Sequence, residues 1–93
     1  MTTQTATWPE NVIARYRTVG GATVDITHDT LYLYDTEPNV STAQCGGCEA
    51  YSNEEWGPHA YRHDNGSSGA DSDARQWAQA HAETCRAMPK PTV

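Results

Sequence analysis

Four side chains in two close pairs carry the chemistry of this chain. Cys45 and Cys48 enclose two glycines, and His81 and Cys85 follow, His81 standing 33 positions after Cys48. The order C-x2-C…H-x3-C offers three thiolates and one imidazole, the donor set and grouping of a tetrahedral structural zinc site. Gly46 and Gly47 allow the backbone to turn tightly, so that its N–H groups can point at the sulfurs. His81 and Cys85 are four apart, which places them on one face of a helix about 5–6 Å from each other. One ion bound to Cys45, Cys48, His81 and Cys85 would staple a turn to a helix.

Other chemistry fits the residues less well. Three small buried cysteines would explain the thiols but not the paired glycines or the histidine. A redox C-x-x-C needs its thiolate at a helix N-terminus, whereas Glu49-Ala50-Tyr51-Ser52-Asn53 is a poor helix start and leaves His81 and Cys85 without a role. A catalytic zinc keeps one position open for water; four protein ligands close it, so the pattern predicts a structural ion and no enzyme. His28 reads as a turn residue, and Glu54-Glu55 as a solvated face. His59 and His63 repeat the H-x3-H spacing beside Asp64, but Gly57-Pro58 and Asn65-Gly66 confine them to barely one helical turn, so they are expected to be a solvated pair.

Composition sets the bounds on what surrounds such a site. The chain has 93 residues, no Phe, two Met and three Trp, and only 37% of it is hydrophobic, many of those residues being alanines. A single core of this kind is near the lower limit of self-sufficiency and benefits from a staple. An odd cysteine count, three, excludes a complete disulfide framework within one chain. No basic-then-apolar leader pattern opens the sequence, and no apolar run approaches the ~18 residues of a membrane span. The expectation is a reducing cytoplasm with no membrane association. A formal charge of −6 opposes phosphate backbones and favours protein partners. Arg15 and Arg17 form the one compact basic pair, the place where nucleic acid would have to bind.

The elements that must position the four ligands follow from periodicity. Residues 1–7 read as a polar tail and residues 90–93 as a second one, with a single domain over 8–89 and Trp8 as a lid on its core edge. Val12, Ala14 and Tyr16 alternate with Ile13, Arg15 and Arg17, which predicts a strand. Gly20-Gly21 predicts a two-residue hairpin, and Ala22, Val24 and Ile26 then point inward from a return strand. Thr30-Leu31-Tyr32-Leu33-Tyr34-Asp35 reads as a third strand. Val40–Gln44 reads as a short extension delivering the chain to Cys45. Residues 49–61 hold Tyr51, Trp56 and Tyr61 with no assignable period, and 64–71 read as a flexible loop. Asp71 or Ser72 then caps a helix whose inner stripe is Ala74, Trp77, Ala78, His81, Ala82, Cys85 and Met88, with Pro89 as its stop.

Residues 16–27 (Tyr-Arg-Thr-Val-Gly-Gly-Ala-Thr-Val-Asp-Ile-Thr), the C-x2-C and residues 74–89 resemble small proteins of Streptomyces and related actinobacteria that are often encoded near plasmids or integrative elements. The resemblance covers most of residues 8–90. It implies a cytoplasmic bacterial setting and a mobile-element context, and it brings no activity with it. In ligand order the chain is also similar to C2HC zinc fingers, matched by Cys45, Cys48, His81 and Cys85. The span between the pairs is far longer than the ~12 residues of a finger, and the acidic start of the helix (Asp71, Asp73) would face phosphates.

The sequence thus predicts an α+β, zinc-finger-like domain: an antiparallel three-stranded meander, a zinc-bearing C-x-x-C turn and a C-terminal helix. It predicts one structural Zn2+ and a non-enzymatic interaction or regulatory role. The aromatic residues of the 51–61 stretch and the acidic surface are the expected partner contacts. Nucleic-acid accessory binding through Arg15 and Arg17 and thiol redox chemistry are the alternatives.

Overall fold

The computed structural model describes residues 11–60 and 65–89, so the tails, Trp8, Tyr61, His63 and Asp64 lie outside the described residues. The fold is α+β. Strands β1 (Val12–Arg17), β2 (Thr23–Asp29), β3 (Val40–Cys45) and β4 (Tyr51–Glu55) form one antiparallel sheet in sequential order. A 3-10 turn, Gly57–His59, follows β4 and leads towards helix α1 (Ser67–Thr84), which lies across one face of the sheet. Among the described residues no helix is long and apolar enough to cross a membrane.

The sheet has four strands, not three, and its third strand is not where alternation placed it. Residues 30–35 form an exposed turn, with Leu31, Tyr32, Leu33 and Tyr34 all facing outwards. The strand beside β2 is β3, paired from Val24↔Cys45 to Asp29↔Val40. Aromatic and aliphatic content alone made 30–35 look like a strand. What decides is burial: Ser41, Ala43 and Cys45 are buried and alternate with half-buried Thr42 and exposed Gln44, so that segment turns a face of small side chains to the helix. β4, YSNEE, is an edge strand with polar side chains and carries no sequence signal of its own.

Inward residues of β2 agree with the period-two reading: Ala22, Val24 and Ile26 are buried. In β1 a register shift between Val12 and Ala14 inserts Ile13 as an extra residue. That bulge lets Ile13 pack partly against the core, on the side opposite to the one alternation assigns it. The first hairpin is wider than two residues. Its last strand pair is Arg17↔Thr23, and Thr18 closes the loop by donating its N–H to the carbonyl of Ala22 at 2.9 Å.

The helix begins at Ser67, with Gly66 at the N-cap in a left-handed conformation (φ 98°). Neither Asp71 nor Ser72 caps it, and residues 67–71, expected as loop, are its first turn. A glycine is required at 66, since a Cβ there would meet the Trp56 carbonyl oxygen at 2.0 Å. Ala70, Ala74, Ala78 and Ala82, spaced by four, form the buried stripe. Small side chains let the helix backbone approach the sheet closely, so the core is thin: the largest fully buried side chains are Ile26, Val24, Cys45 and Ser41. Met88, expected on the stripe, lies beyond the helix end and is exposed.

Each end of the helix is fastened separately. Near its start, Asp71 accepts a short hydrogen bond from Ser41 Oγ at 2.5 Å and lies 2.9 Å from His28 Nε2. Trp56 Nε1 donates to Ser41 Oγ at 2.9 Å, and the His28 and Trp56 rings meet edge-on at 4.9 Å. His28 is therefore a strand residue in a polar network, not a turn residue. Ser41, though wholly buried, has its donor and acceptor both used, which is what makes a buried hydroxyl tolerable. At the other end, Val19 and Gly20 donate their N–H groups to the carbonyls of Ala82 and Cys85, both at 3.0 Å. The first hairpin thereby caps the helix C-terminus.

Gly20 owes its identity to that contact, because a Cβ would sit 2.4 Å from the Arg86 carbonyl carbon. Gly20→Ala should cost about 2 kcal/mol or more in chemical denaturation by forcing backbone apart. Gly57→Ala, where a Cβ meets nothing within 4 Å, should leave the midpoint nearly unchanged.

Candidate metal centre

The β3–β4 connection is the C-x-x-C turn. Cys45 ends β3 and is buried; the chain then turns through Gly46 and Gly47 to exposed Cys48. Glu49 donates its N–H to the Cys45 carbonyl at 3.1 Å, and Cys45 donates to the carbonyl of Ala50 at 2.9 Å. Gly46 is tied sideways to the Thr23 carbonyl at 2.8 Å. Gly47 N–H points at Cys45 Sγ over 3.3 Å, the N–H to sulfur contact that the paired glycines predict. Gly47 also lies under the segment that follows the helix, where a Cβ would meet the Ala87 carbonyl oxygen at 2.7 Å. Closing the turn puts Glu49 at φ 70°, a conformation costly for a side-chain-bearing residue.

The other pair comes from the end of α1. His81 is in the last turn, and Cys85 is the C-cap residue, whose backbone leaves the helix in an extended conformation while its N–H donates to the His81 carbonyl at 2.8 Å. That departure swings Cys85 towards β3. Trp77, one turn before His81, stacks on its imidazole with centroids 4.8 Å apart and planes 7° from parallel. Stacking and the helix end fix the ring so that Nε2 faces the turn.

The structure brings all four sequence-predicted residues together: one donor atom each from Cys45, Cys48, His81 and Cys85 lies within 4.8 Å of every other. Cys45 Sγ and Cys85 Sγ are 3.8 Å apart, and Cys48 Sγ is 3.2 Å from His81 Nε2. A tetrahedral ion with metal–sulfur bonds of ~2.3 Å and a metal–nitrogen bond of ~2.0–2.1 Å would have sulfur–sulfur edges of ~3.8 Å and a sulfur–nitrogen edge of ~3.5 Å. The donor set fits one four-coordinate metal ion. All three cysteines are free of disulfides.

Electrostatics of the cluster favour a cation. Burial pushes the Cys45 thiol up, but the N–H groups of Cys48 and Gly47, with His81 and Cys85, outweigh it and bring the thiol down to about 7. For Cys85 the Ala87 N–H pulls down, yet burial and the neighbouring sulfurs of Cys48 and Cys45 prevail and hold it up. One thiolate forms readily, and further ionisation beside it is resisted by like charge. A divalent ion relieves that repulsion.

The remaining sequence candidates separate from this centre. Arg15 makes a paired contact with Asp25, Nε to Oδ1 at 2.7 Å and Nη2 to Oδ2 at 2.9 Å. Half of the basic pair is thus engaged by a carboxylate. Trp56, expected as an exposed contact, is buried, while Tyr51 is exposed. His59 is not solvated; its ring is largely covered and faces Asp73. Sequence reasoning missed the His28–Ser41–Asp71 network. Its members sit on three elements with no spacing in common, and Ser41 Oγ and His28 Nε2 both bond the Asp71 carboxylate, not each other.

Cys85→Ser should abolish metal binding or unfold the domain, read as metal content by native mass spectrometry and as ellipticity. A folded Cys85→Ser protein retaining one ion would remove Cys85 from the ligand set. Metal affinity should also fall as pH is lowered, first because protons compete for Cys85 Sγ, whose thiol is held up, and further through about 7, where Cys45 Sγ is protonated as well; competition with a chromophoric chelator across that range measures it. No protein-family model, curated protein or solved structure matches the chain.

Proposed function

We propose that this protein is a non-enzymatic interaction module whose fold is held by one structural zinc ion. Three thiolates with one imidazole suit zinc, and four protein donors leave no coordination position for a substrate. The cytoplasmic setting and mobile-element context implied by the resemblance belong to the same proposal.

One observation carries the interaction role: the β2–β3 connection displays four successive large apolar residues. Leu33 is fully exposed at 104% relative accessibility, and Leu31, Tyr32 and Tyr34 are 39–79% exposed. The segment is nevertheless built. Asn39 Oδ1 accepts from Leu31 N–H at 2.8 Å, Asp35 Oδ2 accepts from Asn39 Nδ2 at 2.8 Å, and Asn39 N–H returns to the Asp29 carbonyl at 2.8 Å. Tyr32 and Tyr34 stack at 5.4 Å with planes 4° apart. Exposed apolar residues held in a fixed loop lose little conformational freedom on binding, the condition for an anchor. The loop lies at the end of the sheet opposite the zinc turn, which the antiparallel order β1-β2-β3-β4 requires. The zinc therefore serves stability and not contact.

Nucleic-acid binding through Arg15 and Arg17 is the weaker reading, since the Arg15–Asp25 pair and the net charge oppose it.

Native mass spectrometry with and without chelator, followed by circular dichroism, tests the zinc: one zinc per chain and loss of structure on chelation are expected. Leu33→Ser with Tyr34→Ser should keep zinc and ellipticity unchanged while losing the partners that an affinity-tagged wild type retains. Equal capture by both would place the contact elsewhere, and a folded apo protein would remove zinc from its structural role.

A further inference from the structure

Two histidine–aspartate pairs join the sheet side of the molecule to the first half of α1, and they differ in a telling way. His28 Nε2 and Asp71 Oδ1 are 2.9 Å apart, a closed hydrogen bond. His59 Nε2 and Asp73 Oδ2 stand 3.4 Å apart, beyond the ~2.7–2.9 Å of a charge-assisted hydrogen bond. A third donor converges on this second pair: a carboxylate oxygen of Glu54, a ring nitrogen of His59 and a carboxylate oxygen of Asp73 all lie within 4.8 Å of one another.

Each of the three is held by a different element. Glu54 projects from edge strand β4, with one oxygen, Oε2, anchored by Ser52 Oγ at 3.0 Å. His59 ends the 3-10 turn that Pro58 initiates. Its ring is seated against the helix at Gly69, where a Cβ would come within 2.7 Å of Nδ1. A glycine at 69 is therefore what lets the Nδ1 edge of the imidazole sit against the helix, leaving Nε2 towards Asp73. Asp73, one turn after Gly69, is half exposed. Two carboxylates are thus brought to one imidazole, and the Asp73 oxygen stands 3.4 Å from Nε2, too wide for a direct charge-assisted bond.

That separation is the edge of a coordination polyhedron. Ligand atoms at ~2.0–2.2 Å from a four-coordinate ion are ~3.4 Å from one another. We infer that Glu54, His59 and Asp73 form a second, solvent-open site for a divalent transition-metal ion, with water completing the shell. Imidazole with carboxylates is a borderline-to-hard donor set that accepts zinc or manganese, in contrast to the thiolate-rich centre at the far end of the helix. The ion would tie β4 and the 3-10 turn to the helix start, and it would present open positions beside the exposed β2–β3 loop end of the molecule.

Zinc added to protein already carrying one zinc per chain tests this by isothermal titration. A second binding event is expected in the wild type, weakened at least about tenfold in Asp73→Asn, since even loss of an outer-shell partner costs roughly 10–100-fold. Glu54→Gln should act likewise, and both keep side-chain shape, so ellipticity and the first zinc should not change. Manganese, which avoids thiolates, gives an independent reading: it should broaden the His59 ring resonances in the wild type and not in Asp73→Asn. Stoichiometry that stays at one, or a second zinc that survives both substitutions, overturns the site. Broadening of His28 in place of His59 does the same.

Discussion

The fold depends on joining the β3–β4 turn to the end of α1. The sheet's inner face is made of Val24, Ile26, Ala43 and Cys45, and the helix meets it with alanines. Such an interface buries little apolar area for each residue it orders, and conformational entropy opposes folding at every residue. Three sulfurs and an imidazole gathered within 4.8 Å could hold a metal ion, and on the proposed reading that ion would supply what the core lacks, because structural zinc in small modules can contribute ~10 kcal/mol or more of apparent folding free energy. Cys45 belongs to both systems, being at once a core residue and a donor.

From that constraint follows the role of the glycines. The post-helix segment must pass close enough for Cys85 to reach Cys45, and it does so over Gly20 and Gly47, both in backbone contact with residues 86 and 87. The first hairpin, in turn, caps the helix through Val19 and Gly20. Neither hairpin turn is a mere connection. Both sit at one end of the sheet and together form the seat in which the helix terminus, and hence His81 and Cys85, are set.

The opposite end works by polar chemistry. Ser41, Asp71, His28 and Trp56 form a satisfied network under the helix start, and beside it the β2–β3 loop holds its apolar side chains in water. A marginal core with apolar residues left outside is a poor arrangement for stability alone. It would suit the interaction role proposed above, with the scaffold secured elsewhere and the loop left to bind.

The sequence by itself determined which four donor residues cluster, the first two strands and the body of the helix. Glycine-flanked thiols, an i, i+4 His–Cys pair and alanines spaced by four are local patterns, and local patterns survive without tertiary context. Tertiary structure decided the rest. Whether Leu31-Tyr32-Leu33-Tyr34 or Val40-Ser41-Thr42-Ala43 became the third strand depended on which could turn an alternating small face to the helix. The apolar-rich segment was excluded because its side chains are large on both faces and the alanine stripe leaves no room for them. β4 is ordered by pairing with β3, not by its own composition. The convergence of His28, Ser41 and Asp71, and that of Glu54, His59 and Asp73, arises from where the helix crosses the strands. No spacing in the chain encodes a crossing point; only the packed structure fixes it.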